Sequence, residues 1–161
     1  MPTGPSAWQR PFLTTLTLFA ILGAPGPAAS QTRAYAFLPL ANVDQAAVLD
    51  TTTNGVLAPI ATGDLPTGVA VSHDGRRAYV VNQDSDTVTV IDVATMTPAT
   101  TIAVGNAPYT IAVSPNDRKA YVTRPADDAV TVLDLTTNTS TGDKALPGPG
   151  VFVDTPMRRM V

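Results

Sequence analysis

The sequence contains no cysteine, so disulfide bonds and thiolate chemistry are both excluded. It holds one histidine, His73. Charged residues make up 14% of 161 positions, well under the usual quarter. The net charge of -3 comes without a clustered basic patch, which argues against a nucleic-acid surface. No phosphate-binding glycine loop, nucleophile elbow or zinc-ligand spacing is present. Catalysis needs several convergent groups, and these absences leave few to converge.

What is there reads as strand and turn. Hydrophobic residues reach 44%, enough for a packed core and too much for a disordered chain. Val, Thr and Ala dominate the middle of the chain, and Val and Thr favour strands. Fifteen Pro and eleven Gly punctuate it, as an all-β fold with many turns requires.

Residues 1–30 have the layout of a secretory signal peptide. Arg10 is their one charged side chain, and Phe12 to Ala24 forms an apolar stretch. Pro25, Gly26 and Pro27 break any helix, and Ala28-Ala29-Ser30 supplies small residues for cleavage before Gln31. The rival is an uncleaved anchor, for which the stretch is short, since a span needs about 20 residues. The expectation is an exported protein, periplasmic, extracellular or on the cell surface.

A repeat governs the remainder. The segment from Gly63 and the segment from Gly105 align at an offset of 42 without a gap. Pro66 matches Pro108, and Ala70-Val71-Ser72 matches Ala112-Val113-Ser114. Ala78-Tyr79-Val80 matches Ala120-Tyr121-Val122, and Val88-Thr89-Val90 matches Val130-Thr131-Val132. Asp92 matches Asp134, and Asp50 precedes Asp92 by the same 42. Such a period marks a propeller or solenoid. Four strands are expected per unit: Val69–Ser72, Ala78–Asn82, Thr87–Asp92 with Thr outward and Val inward, and a weaker Thr101–Val104. Four short antiparallel strands describe a β-propeller blade. The expected division is a partial blade at 33–62, blades at 63–104 and 105–146, and the start of another at 147–161. In the first unit, Tyr35 is aligned with Tyr79 and Tyr121, which makes its following loop two residues longer.

These residues resemble the YVTN (YncE-like) β-propeller repeat family. The resemblance rests on Gly63 and Pro66, Ala70 to Gly75, Tyr79 to Asn82 and Val88 to Asp92. The second copy departs from it with Arg124 in place of Asn and Asp117 in place of Gly. The resemblance implies an exported protein of about seven blades, where this chain supplies about three. Three accounts follow: a piece of a longer propeller, two copies closing one ring as a homo-oligomer, or an open arc with exposed strand edges.

Individual residues read mostly as construction. His73 lies in a turn without ligand partners. Asp84 and Asp86 lack the glycine and distal glutamate of a calcium loop. Asp50, Asp92 and Asp134 are expected to bond backbone amides in the turns that follow them. Tyr35, Tyr79 and Tyr121 are expected to pack between blades. Gly63 and Gly105 open the units. Asn138-Thr139-Ser140 fits a glycosylation sequon. One sharper candidate remains, a basic rim of Arg76, Arg77, Arg118, Lys119, Arg158 and Arg159 that would dock a partner. No catalytic residue, metal ligand or cofactor is expected. The function expected is an exported binding or scaffold module for a protein or small-molecule ligand. The alternatives are the propeller portion of a periplasmic quinoprotein or haem-type oxidoreductase, and a surface-layer or adhesion repeat.

Overall fold

The computed structural model describes residues 34–146. The signal segment, Arg158, Arg159 and the unit expected from 147 lie outside the described residues. Within them the chain is all-β, with three antiparallel sheets of four strands each. The first sheet holds β1 (Tyr35–Leu40), β2 (Gln45–Asp50), β3 (Gly55–Val56) and β4 (Ile60–Ala61). The second runs β5 (Pro66–Val71), β6 (Arg77–Asn82), β7 (Thr87–Asp92) and β8 (Thr97–Ala103) in spatial order. The third repeats this with β9 (Thr110–Val113), β10 (Lys119–Arg124), β11 (Ala129–Asp134) and β12 (Thr139–Ala145). A single 3₁₀ turn spans Pro125–Asp127. Among the described residues no helix is long and apolar enough to cross a membrane.

Sequential strands pair because each tight turn returns the chain beside itself. Asp44, Asp86 and Asp128 close the β1–β2, β6–β7 and β10–β11 turns at φ 54°, 56° and 47°. Asn54, Met96 and Asn138 close the next turns at φ 56°, 55° and 55°. Asp and Asn tolerate this left-handed geometry because their short polar side chains bond locally. The outermost strand of each sheet is disturbed at one repeat position. Registers shift opposite Val90/Ile91 and Val132/Leu133, and in the first sheet Pro59 helps to split the strand into β3 and β4.

Pairing corrects the alignment of the first unit. Tyr35 pairs with Asp50 as Arg77 pairs with Asp92 and Lys119 with Asp134. All three are 42 apart, so the loop contains no insertion. Phe37, not Tyr35, therefore stands at the position of Tyr79 and Tyr121. The tyrosines also differ in setting. Phe37 and Tyr79 are each 1% exposed, whereas Tyr121 lies on a face that no described sheet covers.

Neighbouring sheets pack face to face through two apolar layers. Phe37, Val48 and Ile60 of the first sheet meet Val80 and Ile91 of the second. Tyr79, Val81 and Val90 of the second meet Ile111, Val122 and Leu133 of the third. The second sheet is thus covered on both faces, which explains a difference from the expected alternation. Thr89 points into the packed interior rather than outward, and Asn82 Nδ2 donates to its hydroxyl at 2.9 Å.

Candidate functional site

Two hollows lie between the second and third sheets, on opposite rims. The first is at the rim formed by the β5–β6 and β11–β12 turns. It encloses about 260 Å³ and is lined by Asp74, Arg76, Arg77, Tyr79, Asp117 and Thr136, among others. The turn at its edge is built from Ser72, whose hydroxyl accepts the Arg77 amide at 2.9 Å and lies 2.6 Å from Asp74 Oδ1. That hydrogen bond, then the bond from the Arg76 amide, holds the Asp74 carboxyl below its ordinary range.

This rim is where the basic row was expected, and of its cations Arg77 is engaged across the sheets. Arg76 lies 3.9 Å from Asp74. Arg77 Nη1 donates across the sheets to Leu135 O and Asn138 Oδ1, both at 3.3 Å. Asp117, the residue in place of glycine, accepts the His73 amide at 2.6 Å and the Asp74 amide at 3.0 Å. Arg118 and Lys119 are exposed. His73 thus belongs to a turn, and no group of three His, Cys, Asp or Glu side chains suited to a metal ion occurs among the described residues.

The recurrent aspartates cap turns. Asp50 Oδ1 accepts the amides of Thr52 and Thr53, Asp92 Oδ1 those of Ala94 and Thr95, and Asp134 Oδ1 those of Thr136 and Thr137. Asp92 is held below the usual carboxylate range chiefly by the Thr95 amide. Asp134 is held there chiefly by the Thr136 hydroxyl. On the opposite rim Asp44 accepts the Leu65 amide at 3.0 Å, and Asp86 accepts the Ala107 amide at 2.8 Å. Each of these bonds ties one sheet to the next.

The second hollow is an open cleft of about 450 Å³ on that opposite rim, lined by Gln83, Ala107, Tyr109, Pro125 and Ala126. Its walls are mostly apolar, and Tyr109 is 56% exposed within it. The residues that line the cleft are among the many that differ between the two repeat copies. Tyr109 stands in place of Thr67, Ala107 of Leu65, Pro125 of Gln83 and Ala126 of Asp84. It carries one amide and one phenol, and no carboxylate, imidazole or cation.

Beneath Pro125 lies a charged cluster that sequence reasoning missed. Arg124, 8% exposed, meets Asp127 at 2.8 Å and Asp143 at 2.5 Å. Thr131 Oγ1 lies 2.7 Å from Asp143 and 2.8 Å from Val104 O of the second sheet. Gly105, at φ 89°, leaves room for the guanidinium, which a Cβ there would overlap. The signal was in the alignment: Asn82, Ser85 and Thr101 become Arg124, Asp127 and Asp143 together. One cation and its two anions are present together in the second copy and absent together from the first.

No family model matches the chain, and no curated protein matches it. Solved structures do. The chain is similar to hydrazine synthase of Kuenenia stuttgartiensis, with 28% identity over 68% of this chain and 32% of that one, at a TM-score of 0.66. It is also similar to AztD from Citrobacter koseri, with 24% identity over 91% of this chain and 39% of that one, at a TM-score of 0.63. The apo structure of AztD matches over 73% of this chain and 33% of that one, at 24% identity and a TM-score of 0.61. The chain spans about a third of the length of the structures it matches. Its three sheets are blades of a β-propeller type, and the described residues form no closed ring.

Proposed function

We propose that this chain is a non-enzymatic binding module of YVTN-type propeller blades, exported from the cell, whose ligand occupies the cleft at Tyr109. One observation carries the reading: an open, mostly apolar cleft of about 450 Å³ presents the half-exposed Tyr109 phenol with a single amide, that of Gln83. An apolar hollow with a few polar groups is the ordinary form of a ligand site. The chemistry suits a planar or proline-bearing group, stacked on the phenol and oriented by the Gln83 amide. The docking rim of Arg76, Arg77, Arg118 and Lys119 is the lesser surface, because Arg77 is already engaged across the blades.

Titration with proline-rich and aromatic peptide probes tests this by amide chemical shifts. The expected result is movement confined to Gln83, Ala107, Tyr109 and their neighbours, lost in Tyr109→Ala with the remaining spectrum intact. Shifts scattered over the surface, or unchanged in Tyr109→Ala, overturn it. A second reading draws support from the likeness to hydrazine synthase. In it the blades are the scaffold part of a larger periplasmic oxidoreductase of the quinoprotein or haem type. That reading predicts cofactor ligands encoded beyond Val161, and the genomic sequence there decides it.

A further inference from the structure

The second sheet shows how the open face of the third would be covered. Ala70, Tyr79, Val81, Val88, Val90 and Val104 are buried where the second sheet meets the third. One repeat later the same positions are Ala112, Tyr121, Thr123, Val130, Val132 and Leu146. There Tyr121 is 44% exposed and Leu146 50% exposed. The first sheet carries the complementary surface. Leu38 and Leu49 occupy the positions of Val80 and Ile91, and of Val122 and Leu133. Those four are fully buried by the preceding sheet, whereas Leu38 and Leu49 are only partly covered.

A polar pair identifies the occupant. Between the second and third sheets, Arg77 reaches the Leu135 carbonyl and Asn138 Oδ1. Lys119 is the cation at the Arg77 position of the third sheet. The Asn138 position is Met96 in the second sheet but Asn54 in the first, with the same left-handed backbone. The first sheet therefore offers Lys119 the acceptor that the second does not. Lys119 and Asn54 lie on sheets at opposite ends of the described chain, so one copy supplies each.

We infer that the open face of the third sheet is an interface that receives the first sheet of a second copy of this chain, with Lys119 of one copy donating to Asn54 of the other. Tyr121 is buried in that contact as Tyr79 is within the chain. The contact is heterologous, so two copies close a ring when the rotation allows and longer assemblies form when it does not. The Tyr109 cleft plays no part in the contact.

The exported chain is tested by light scattering at micromolar concentration and by cross-linking. The chain has no cysteine, so Lys119→Cys and Asn54→Cys introduce unique thiols. The two variants are prepared separately, mixed and treated with a short bismaleimide. The expected result is a particle of two or more chains, and covalent products between unlike variants only. Tyr121→Glu and Val132→Lys, with circular dichroism unchanged, are expected to return it to single chains. A monomer throughout means that the chain's own remaining residues cover the face, and overturns the inference. So does an assembly that forms no Lys119–Asn54 cross-link, or one that survives both face variants.

Discussion

Asp117 ties the second blade to the third with two bonds from one carboxylate. Its backbone sits at φ 55°, where the matching Gly75 sits at 70°. An aspartate there costs strain that glycine avoids, and its side chain returns more than that cost. Asp117→Ala keeps the strain and removes both bonds, and is expected to destabilise by about 1–3 kcal/mol in denaturant unfolding. The turn-capping aspartates make a prediction about acid. Asp74, Asp92 and Asp134 are each held below the ordinary value of 3.8 by hydrogen bonds to the ionised form. The stability they supply is complete above that value and is lost as pH falls through it towards the lower folded-state values. Melting temperature is expected to drop below pH 3.8, and to drop less in Asp92→Asn.

At the level of the strand, burial follows the neighbour rather than the sequence pattern. β11 alternates between buried and partly exposed positions, whereas its counterpart β7 is buried across its four central residues. The two strands are nearly the same sequence, and differ because only β7 has a sheet on each side. This is why the alternation expected for Thr89 failed. The inner strands were legible from their Val and Ile, the turns from Asp, Asn and Gly. The start of β5 at Pro66 was not, because proline donates no ladder bond and reads as readily as a turn residue as the first residue of a strand. β8 was read as starting at Thr101 rather than Thr97 for a related reason: its exposed Thr, Pro and Ala give no alternation. Phe37 was misplaced because a tyrosine nearby offered a false match, and only pairing with Val48 fixes the register. Phe37→Ala is expected to cost about 3–5 kcal/mol, since it opens the layer between the first two sheets. Val56→Ala, on the short exposed β3, is expected to change stability by no more than about 0.5 kcal/mol, measured in the same way.

For the molecule as a whole, the repeat made the architecture readable and kept the site obscure. A 42-residue period fixes four strands and their order, because each strand pairs with its chain neighbour. The same regularity hides the site. The cleft is assembled from Ala107 and Tyr109 on one connection and Pro125 and Ala126 on another, with Gln83 from the preceding blade. None of these is a charged or catalytic residue type, so nothing in the sequence marks them until the fold brings them together. Arg124 shows the same limit, since a cation with one anion three residues away and another nineteen away reads as surface until the fold joins them.

The cross-blade bonds of Asp44, Asp86 and Asp117 also decide how the chain answers to tension. Every described sheet is wound from consecutive strands, so among the described residues no segment is threaded through another. Force along the backbone meets these polar ties, and the two apolar layers they flank, before it meets the sheets themselves. Each blade that gives way frees roughly 140 Å of slack, at about 3.4 Å per residue. The chain then behaves as a row of separate coils that pay out in equal lengths, not as one body that fails at once.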